Sequence, residues 1–136
     1  MAWTCPDCKR VFARNKQAHS CKSYDLDPLF AKSNQGVRDL YDHLLLLVSK
    51  FGPIDVRVGT FSISIRNLST FVEIIPERNH MTITFIRDEK LDEFPIYQSY
   101  QRSKHRCSNL IKVESKDEID EQLINWLNDA YLLTAH

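Results

Sequence analysis

The chain has 136 residues, 43% of them hydrophobic and 26% charged, and its 18 basic residues balance its 18 acidic residues. This size and composition predict one compact domain with a small appendage. No apolar run approaches the roughly 20 residues of a membrane-spanning helix. The first residues lack the apolar segment of a secretory signal, so we expect a cytoplasmic protein.

The first stretch of the chain holds three of the four cysteines, in the pattern Cys5-x2-Cys8-x10-His19-x1-Cys21. Structural zinc sites use four nitrogen or sulfur ligands in a tetrahedron, and a Cys-x2-Cys turn directs two thiolates at one ion. Cys21 stands where a Cys2His2 finger has its first histidine, and no second histidine follows at the usual spacing. His19 must therefore supply the remaining ligand. We predict one structural Zn²⁺ bound by Cys5, Cys8, His19 and Cys21.

Two other interpretations of these cysteines fit less well. A redox Cys-x-x-Cys pair needs a thioredoxin-like βαβ context, which the neighbouring sequence does not provide. Disulfides need an oxidising compartment, and the sequence gives no sign of secretion.

The charge is distributed unevenly along the chain. Residues 1–22 contain five basic residues and one acidic residue, a net charge of +4, whereas residues 116–136 contain one basic and five acidic residues, a net charge of −4. The basic segment can meet phosphates, or it can dock on the acidic helix of its own chain. The sequence leaves both alternatives open.

The first half of the chain predicts helical structure. Asp27, followed by proline, is predicted to cap a short helical turn. An amphipathic helix follows over residues 36–51, where apolar residues recur at three- and four-residue steps. Asn34 is its expected cap, and Gly52, followed by proline, is its expected end.

The middle of the chain predicts a sheet. Apolar and polar residues alternate with a period of two, which indicates antiparallel strands with one buried face and one wet or functional face. The predicted strands cover residues 54–58, 61–66, 70–75, 79–86, 96–101 and 106–113.

The end of the chain predicts a second amphipathic helix. Ser115 and Glu118 form a capping-box sequence, so we predict that Ser115 caps this helix. Two such helices around antiparallel strands predict an α+β fold, with a sheet of five to six strands and both helices on one face. The predicted domains are a zinc-binding module of residues 1–24 and an α+β domain of residues 25–136.

The whole chain resembles a family of small bacterial proteins. The shared motifs are Trp-Thr-Cys-Pro-x-Cys from Trp3, Gln-x-His-Ser-Cys from Gln17, Phe-Gly-Pro from Phe51, the run of residues 101–105, and Trp-Leu-x-x-Ala-Tyr from Trp126. Those proteins carry a DUF5655-like domain of unknown function behind a short zinc-binding segment. The resemblance implies the element order above and the four metal ligands already named, and it implies little about function.

A second candidate site lies in residues 97–106, where two tyrosines, Tyr97 and Tyr100, stand close to a cluster of basic side chains at residues 102–106. This combination suits phosphates and bases, but Lys and Arg also occur on solvated edge strands, where they discourage pairing with another sheet. Arg66 and Arg102 are expected on the same wet sheet face. The candidate nucleic-acid or anion-binding residues are Lys9, Arg10, Arg14, Lys16, Arg66, Arg102, Lys104, His105 and Arg106.

The sequence favours a binding module over an enzyme. It contains no glycine-rich phosphate loop, no Gly-x-Ser-x-Gly and no His-Glu-x-x-His. A catalytic group made of Glu73, Arg102 and His105 on the sheet face stays open. The sequence leaves two functions open. The first is a zinc-binding module that contacts nucleic acid through its basic segment. The second is a small-ligand- or protein-partner-binding domain with a structural zinc and no nucleic-acid role.

We predict that the purified protein contains one zinc ion per chain, and that Cys5→Ser and Cys21→Ser lose it because each removes one of four ligands. Elemental analysis of the purified variants measures this directly. Cys107→Ser is the matched control and should keep its zinc. Full zinc occupancy in both Cys5→Ser and Cys21→Ser would contradict the ligand assignment.

Overall fold

The computed structural model describes residues 2–6, 11–12 and 26–135. Two short strands precede the domain, β1 (Trp3–Thr4) and β2 (Val11–Phe12). The domain then contains, in chain order, α1 (Asp27–Phe30), α2 (Gln35–Val48), β3 (Asp55–Val58), β4 (Ile63–Arg66), β5 (Thr70–Pro76), β6 (Met81–Arg87), β7 (Gln98–Ser103), β8 (Arg106–Val113) and α3 (Glu121–Leu133).

Strands β3 to β8 form one sheet in the order β3-β4-β5-β6-β8-β7, and every neighbouring pair is antiparallel. The predicted α+β class and a sheet of about six strands are confirmed. The order places β7 at one edge of the sheet and β3 at the other. The second candidate site, residues 97–106, therefore lies partly on an edge strand.

The period-two pattern correctly identifies the buried face. On β6, Met81, Ile83 and Phe85 are completely buried, whereas Thr84 and Ile86 on the opposite face are half-buried. The prediction fails at Phe61, which lies outside β4 and is 82% exposed. A turn accounts for this, because the backbone N–H of Gly59 donates to the Ser62 carbonyl at 2.8 Å.

The first helices begin and end close to the predicted positions. The Asn34 side chain caps α2 by accepting a hydrogen bond from the Val37 N–H at 3.1 Å. The α-helix ends at Val48, and residues Ser49–Phe51 continue as a 3₁₀ turn. Asp27 was predicted to cap α1, but it lies inside the first turn of that helix. Its carboxylate instead approaches the Arg38 guanidinium at 3.4 Å.

The start of the last helix differs from the prediction. Glu118 Oε1 accepts from the Ser115 N–H at 3.2 Å, as a capping box requires, but this box closes only a 3₁₀ turn. Ile119 is buried, and its backbone, at φ −87° and ψ 73°, leaves the helical region. Helix α3 begins two residues later. Its cap is Asp120, whose carboxylate accepts from the Leu123 N–H at 3.0 Å.

Helix α3 is fixed on the sheet by an aromatic pair and an ion pair. It packs against β5 and β6, and α2 packs against α3 and β6. Trp126 stacks on Phe85 with 5.6 Å between ring centroids. The Asp129 carboxylate pairs with the Arg87 guanidinium at 3.5 Å. None of the helices in the described part of the chain is long and apolar enough to cross a membrane.

Tyr131 joins the last helix to the turn that follows α2. Its ring meets Phe71 edge-on with 5.3 Å between centroids, and its hydroxyl donates to the Pro53 carbonyl at 3.1 Å. Gly52 beside it has φ 151°, a backbone conformation that essentially only glycine adopts. A β-carbon at this position would overlap the Tyr131 hydroxyl. Both the backbone and the packing therefore require glycine at position 52.

We predict that Gly52→Ala lowers the free energy of unfolding by about 1–3 kcal/mol, because alanine must adopt a strained conformation and displace the Tyr131 hydroxyl. Denaturant-induced unfolding followed by circular dichroism measures the change. Gly59→Ala is the control, since the backbone there has no positive φ. An equal loss of stability in the two variants would contradict this explanation.

Candidate functional site

One face of the sheet carries no helix within the described residues. The backbone register puts Glu73 opposite Thr84 and puts Ser108 opposite both Ile86 and Tyr100. Side chains alternate along a strand, so these residues lie on the face opposite to the one that packs against α3. We call this the open face.

A cavity of about 250 Å³ lies on the open face. Its floor comes from β6, through Thr84 and Ile86, and its sides come from β5 and from the β7–β8 pair. The residues that line it are Thr70, Phe71, Val72, Glu73, Thr84, Ile86, Arg102 and Ser108.

A β-bulge lies on each side of this cavity. In β5, Thr70 and Val72 pair with consecutive residues of β4, which leaves Phe71 as the extra residue. In β7, Gln101 and Ser103 pair with consecutive residues of β8, which leaves Arg102 as the extra residue. Bulges bend a strand and redirect side chains, and they are common beside functional sites. Both extra residues line the cavity.

Arg102 is held at the cavity by one of its three guanidinium nitrogens. Its Nε donates to the hydroxyl of Ser108 at 2.5 Å, and Ser108 is completely buried. Among the described residues, its two terminal nitrogens have no hydrogen-bond partner. The guanidinium is thus oriented by the protein and keeps donors for a ligand.

Glu73 lies across the cavity from Arg102. It is half-buried on β5, between Ser64 of β4 and Thr84 of β6. Its carboxylate makes no hydrogen bond or ion pair with any residue that the structure describes. A carboxylate and a guanidinium therefore line one cavity without pairing with each other.

The β7 edge beside this cavity carries two exposed tyrosines. Tyr97 is 48% exposed and Tyr100 is 46% exposed. The Lys112 Nζ lies 5.1 Å from the centroid of the Tyr97 ring, within the range of a cation–π contact. Aromatic rings and cations are therefore adjacent at this edge.

The basic side chains predicted to act together at residues 102–106 do not form one patch. Arg106 donates to the carbonyl of Leu133 at the C-terminal end of α3, at 3.4 Å, where a cation stabilises the helix dipole. Lys104 and His105 are exposed at the β7–β8 turn. Only Arg102 of this run lines the cavity on the open face. His105 does not line this cavity. Of the catalytic group made of Glu73, Arg102 and His105, the structure therefore brings together Glu73 and Arg102.

Arg66 lies at a different cavity. This cavity has a volume of about 430 Å³ and is lined in part by Asp55, Asn67 and Tyr131. One Arg66 guanidinium nitrogen donates to the Leu68 carbonyl at 2.8 Å. The structure therefore separates Arg66 from Arg102.

The N-terminal segment is described only in part. Strands β1 and β2 form a small antiparallel hairpin in which Thr4 pairs with Val11, so the Cys5-x2-Cys8 sequence connects the two strands. Cys5 is 2% exposed.

Most of the predicted finger residues lie outside the described residues. These are Cys8, Lys9, Arg10, Arg14, Lys16, His19 and Cys21. Within residues 2–6, 11–12 and 26–135, no cluster of three or more potential metal ligands is found. The zinc site therefore stays a prediction.

Sequence reasoning missed the role of Asn109. This completely buried side chain accepts hydrogen bonds from the Leu91 N–H at 2.9 Å and from the Ser99 hydroxyl at 2.6 Å. It also donates to the Glu89 carbonyl at 3.3 Å. Asn109 thus anchors the charged β6–β7 loop and positions the start of β7. Asparagine in the middle of a predicted strand is the signal that could have identified it.

The comparison with protein families gives one match. The profile of a family described as a domain of unknown function (DUF5655) matches residues 26–134, which include every element from α1 to α3. No curated protein and no solved structure matches the chain.

We predict that removing zinc with a chelator exposes the β1–β2 hairpin to hydrogen exchange and leaves the six-stranded sheet protected. Two strands of two residues each bury too little apolar surface to fold without the metal. Hydrogen exchange read by mass spectrometry measures both regions. Cys5→Ser should show the same pattern without chelator. Continued protection of the hairpin after chelation would contradict the coupling of folding to metal binding.

Proposed function

The chain belongs to the DUF5655 family, and we propose that it is a zinc-binding, non-enzymatic module that contacts single-stranded nucleic acid. The contacts come from the basic N-terminal segment and from the open face of the sheet. The zinc ion, held by Cys5, Cys8, His19 and Cys21, has a structural role. We also propose a cytoplasmic location, where reducing conditions keep cysteine thiols available to zinc.

The observation that carries this proposal is the β7–β8 edge of the open face. Tyr97 and Tyr100 are about half exposed, and the cations of Arg102 and Lys112 lie on the same strand pair. Proteins that bind single strands combine aromatic rings, on which bases stack, with cations that follow the phosphates. A sheet face on which the described residues place no helix can present both without any change of conformation.

The basic N-terminal segment supports the same function. Its net charge of +4 within residues 1–22 provides a sequence-independent attraction to phosphates. The segment is too short to contain the recognition helix of an ordinary Cys2His2 finger, so reading of bases in a duplex major groove is not expected. Affinity would come from phosphates and from stacking.

A small-ligand- or protein-partner-binding domain is the second candidate. It is supported by a groove of about 870 Å³ beside α1, lined in part by Leu29, Ser33, Phe61 and Arg78. The ring of Phe61 is exposed at this groove. A partner that buried this ring would gain apolar contact area.

We predict that Tyr97→Ala combined with Tyr100→Ala weakens binding to a labelled single-stranded oligonucleotide by about tenfold or more, because each lost stacking contact is worth roughly 1–3 kcal/mol. Fluorescence anisotropy at several salt concentrations measures the affinity. The salt dependence should stay the same, since no charge is removed. Phe61→Ala removes an exposed ring at a distant site and is the control, with unchanged affinity expected.

A charge-reversal variant tests the N-terminal contribution separately. Arg10→Glu combined with Arg14→Glu should reduce both the affinity and its dependence on salt, while zinc stays bound. If the unmodified protein shows no salt-sensitive binding to DNA or RNA at low ionic strength, the nucleic-acid proposal is wrong and the second candidate replaces it.

A further inference from the structure

We infer that the cavity on the open face binds a guanine base of the single strand. This inference rests on the proposed function and adds a preference for one base to it. Its basis is the unpaired carboxylate and guanidinium that line a cavity between two β-bulges.

The cavity offers one acceptor group and one donor group on opposite sides. The Glu73 carboxylate can accept two hydrogen bonds, and it makes none with the described residues. The two terminal nitrogens of Arg102 can donate, and only its Nε is engaged, by Ser108. The two charged groups form no ion pair with each other. The gap between them is therefore available to a ligand that carries donors on one edge and acceptors on the other.

Guanine has this distribution of groups. Its N1–H and its exocyclic amine form a pair of donors that suits a carboxylate, and its O6 and N7 form a pair of acceptors that suits arginine. Adenine would direct its N1 lone pair at the Glu73 carboxylate, which is repulsive. Cytosine offers only its amine as a donor to Glu73, and uracil offers only N3–H.

The spacing of the strands suits a flat base. Glu73 is on β5 and Ser108, which holds Arg102, is on β8, with β6 between them. Two strand spacings place β5 and β8 about 10 Å apart. Ile86 and Thr84 of β6 form the floor between them, and the ring plane would rest on this floor.

The surroundings favour a base in a single strand over a free small molecule. The cavity opens onto the sheet surface, and Tyr100, opposite Ser108 in the register, is half exposed at its rim. A neighbouring base of the strand can stack on Tyr100 while the guanine occupies the cavity. The phosphates would then run along an edge that carries Arg102 and Lys112.

The test compares short single-stranded oligoadenylates that differ only at one central position, which is guanine, hypoxanthine or adenine. Hypoxanthine is guanine without the exocyclic amine. We expect the guanine strand to bind about tenfold or more tightly than the hypoxanthine strand, since a hydrogen bond to the half-buried Glu73 carboxylate is lost. Fluorescence anisotropy with the full chain and its zinc provides the affinities.

The variants Glu73→Gln and Arg102→Lys should each remove most of the preference for guanine over adenine, measured as the ratio of the two affinities within one variant, so that a general change in strand binding cancels. Glu77→Gln is the matched control, because Glu77 is exposed beyond the end of β5 and does not line the cavity. Circular dichroism confirms that each variant is folded.

The possible outcomes separate this inference from the proposed function. Equal binding of all three strands would overturn the guanine inference and leave nucleic-acid binding intact. Absence of binding to every strand would overturn both. If free amino acids, but not guanosine monophosphate, displace the guanine strand, the cavity belongs to a small zwitterion and the inference is wrong.

Discussion

The fold depends on the attachment of helix α3 to one face of the sheet. The stacking of Trp126 on Phe85 and the pairing of Asp129 with Arg87 lie on neighbouring turns of the helix, and both reach β6, an interior strand. Because α2 also packs against α3, the position of α3 determines where both helices bury their apolar faces. Within the described residues the helices pack on only one face of the sheet, and the opposite face carries no helix.

Two departures from regular strand pairing flank the cavity on the open face. Without the extra residue in β7, the side chains on one side of position 102 would shift to the other face of the sheet. Arg102 lies on the open face like Tyr100, two residues earlier, while Gln101 lies near the buried thiol of Cys107, which donates to it at 3.2 Å. The same segment thus contributes both to the core side and to the cavity. Bulges reduce regular ladder pairing, and their presence on both sides of one cavity supports a functional explanation for them.

Local patterns in the sequence predicted most of the fold, because alternation and helical periodicity reflect burial directly. The bounds of β8 and the cap of α2 were correct for this reason. The start of α3 was wrong because two caps, Ser115 and Asp120, stand five residues apart, and only the burial of Ile119 decides between them. Glu73 and Arg102 were named together on the sheet face as an open possibility, but the cavity between them could not be predicted, since it depends on the strand order, which leaves no local pattern. The four zinc ligands were assigned from their spacing alone, and this assignment stays a prediction.

The distribution of charge bears on whether the basic segment is available to a partner. A clasp onto the acidic C-terminal segment would need acidic groups without other contacts. Glu118 already accepts from two backbone N–H groups, Asp120 caps α3, and Asp129 pairs with Arg87. In addition, Val11 lines the cavity that contains Tyr131 and Ala135, near the C-terminal end of α3, whereas Glu118 and Asp120 lie at the start of α3, about 20 Å away along a helix of this length. Three of the five acidic groups in residues 116–136 thus already have contacts within the domain, and the role of the basic segment stays a proposal.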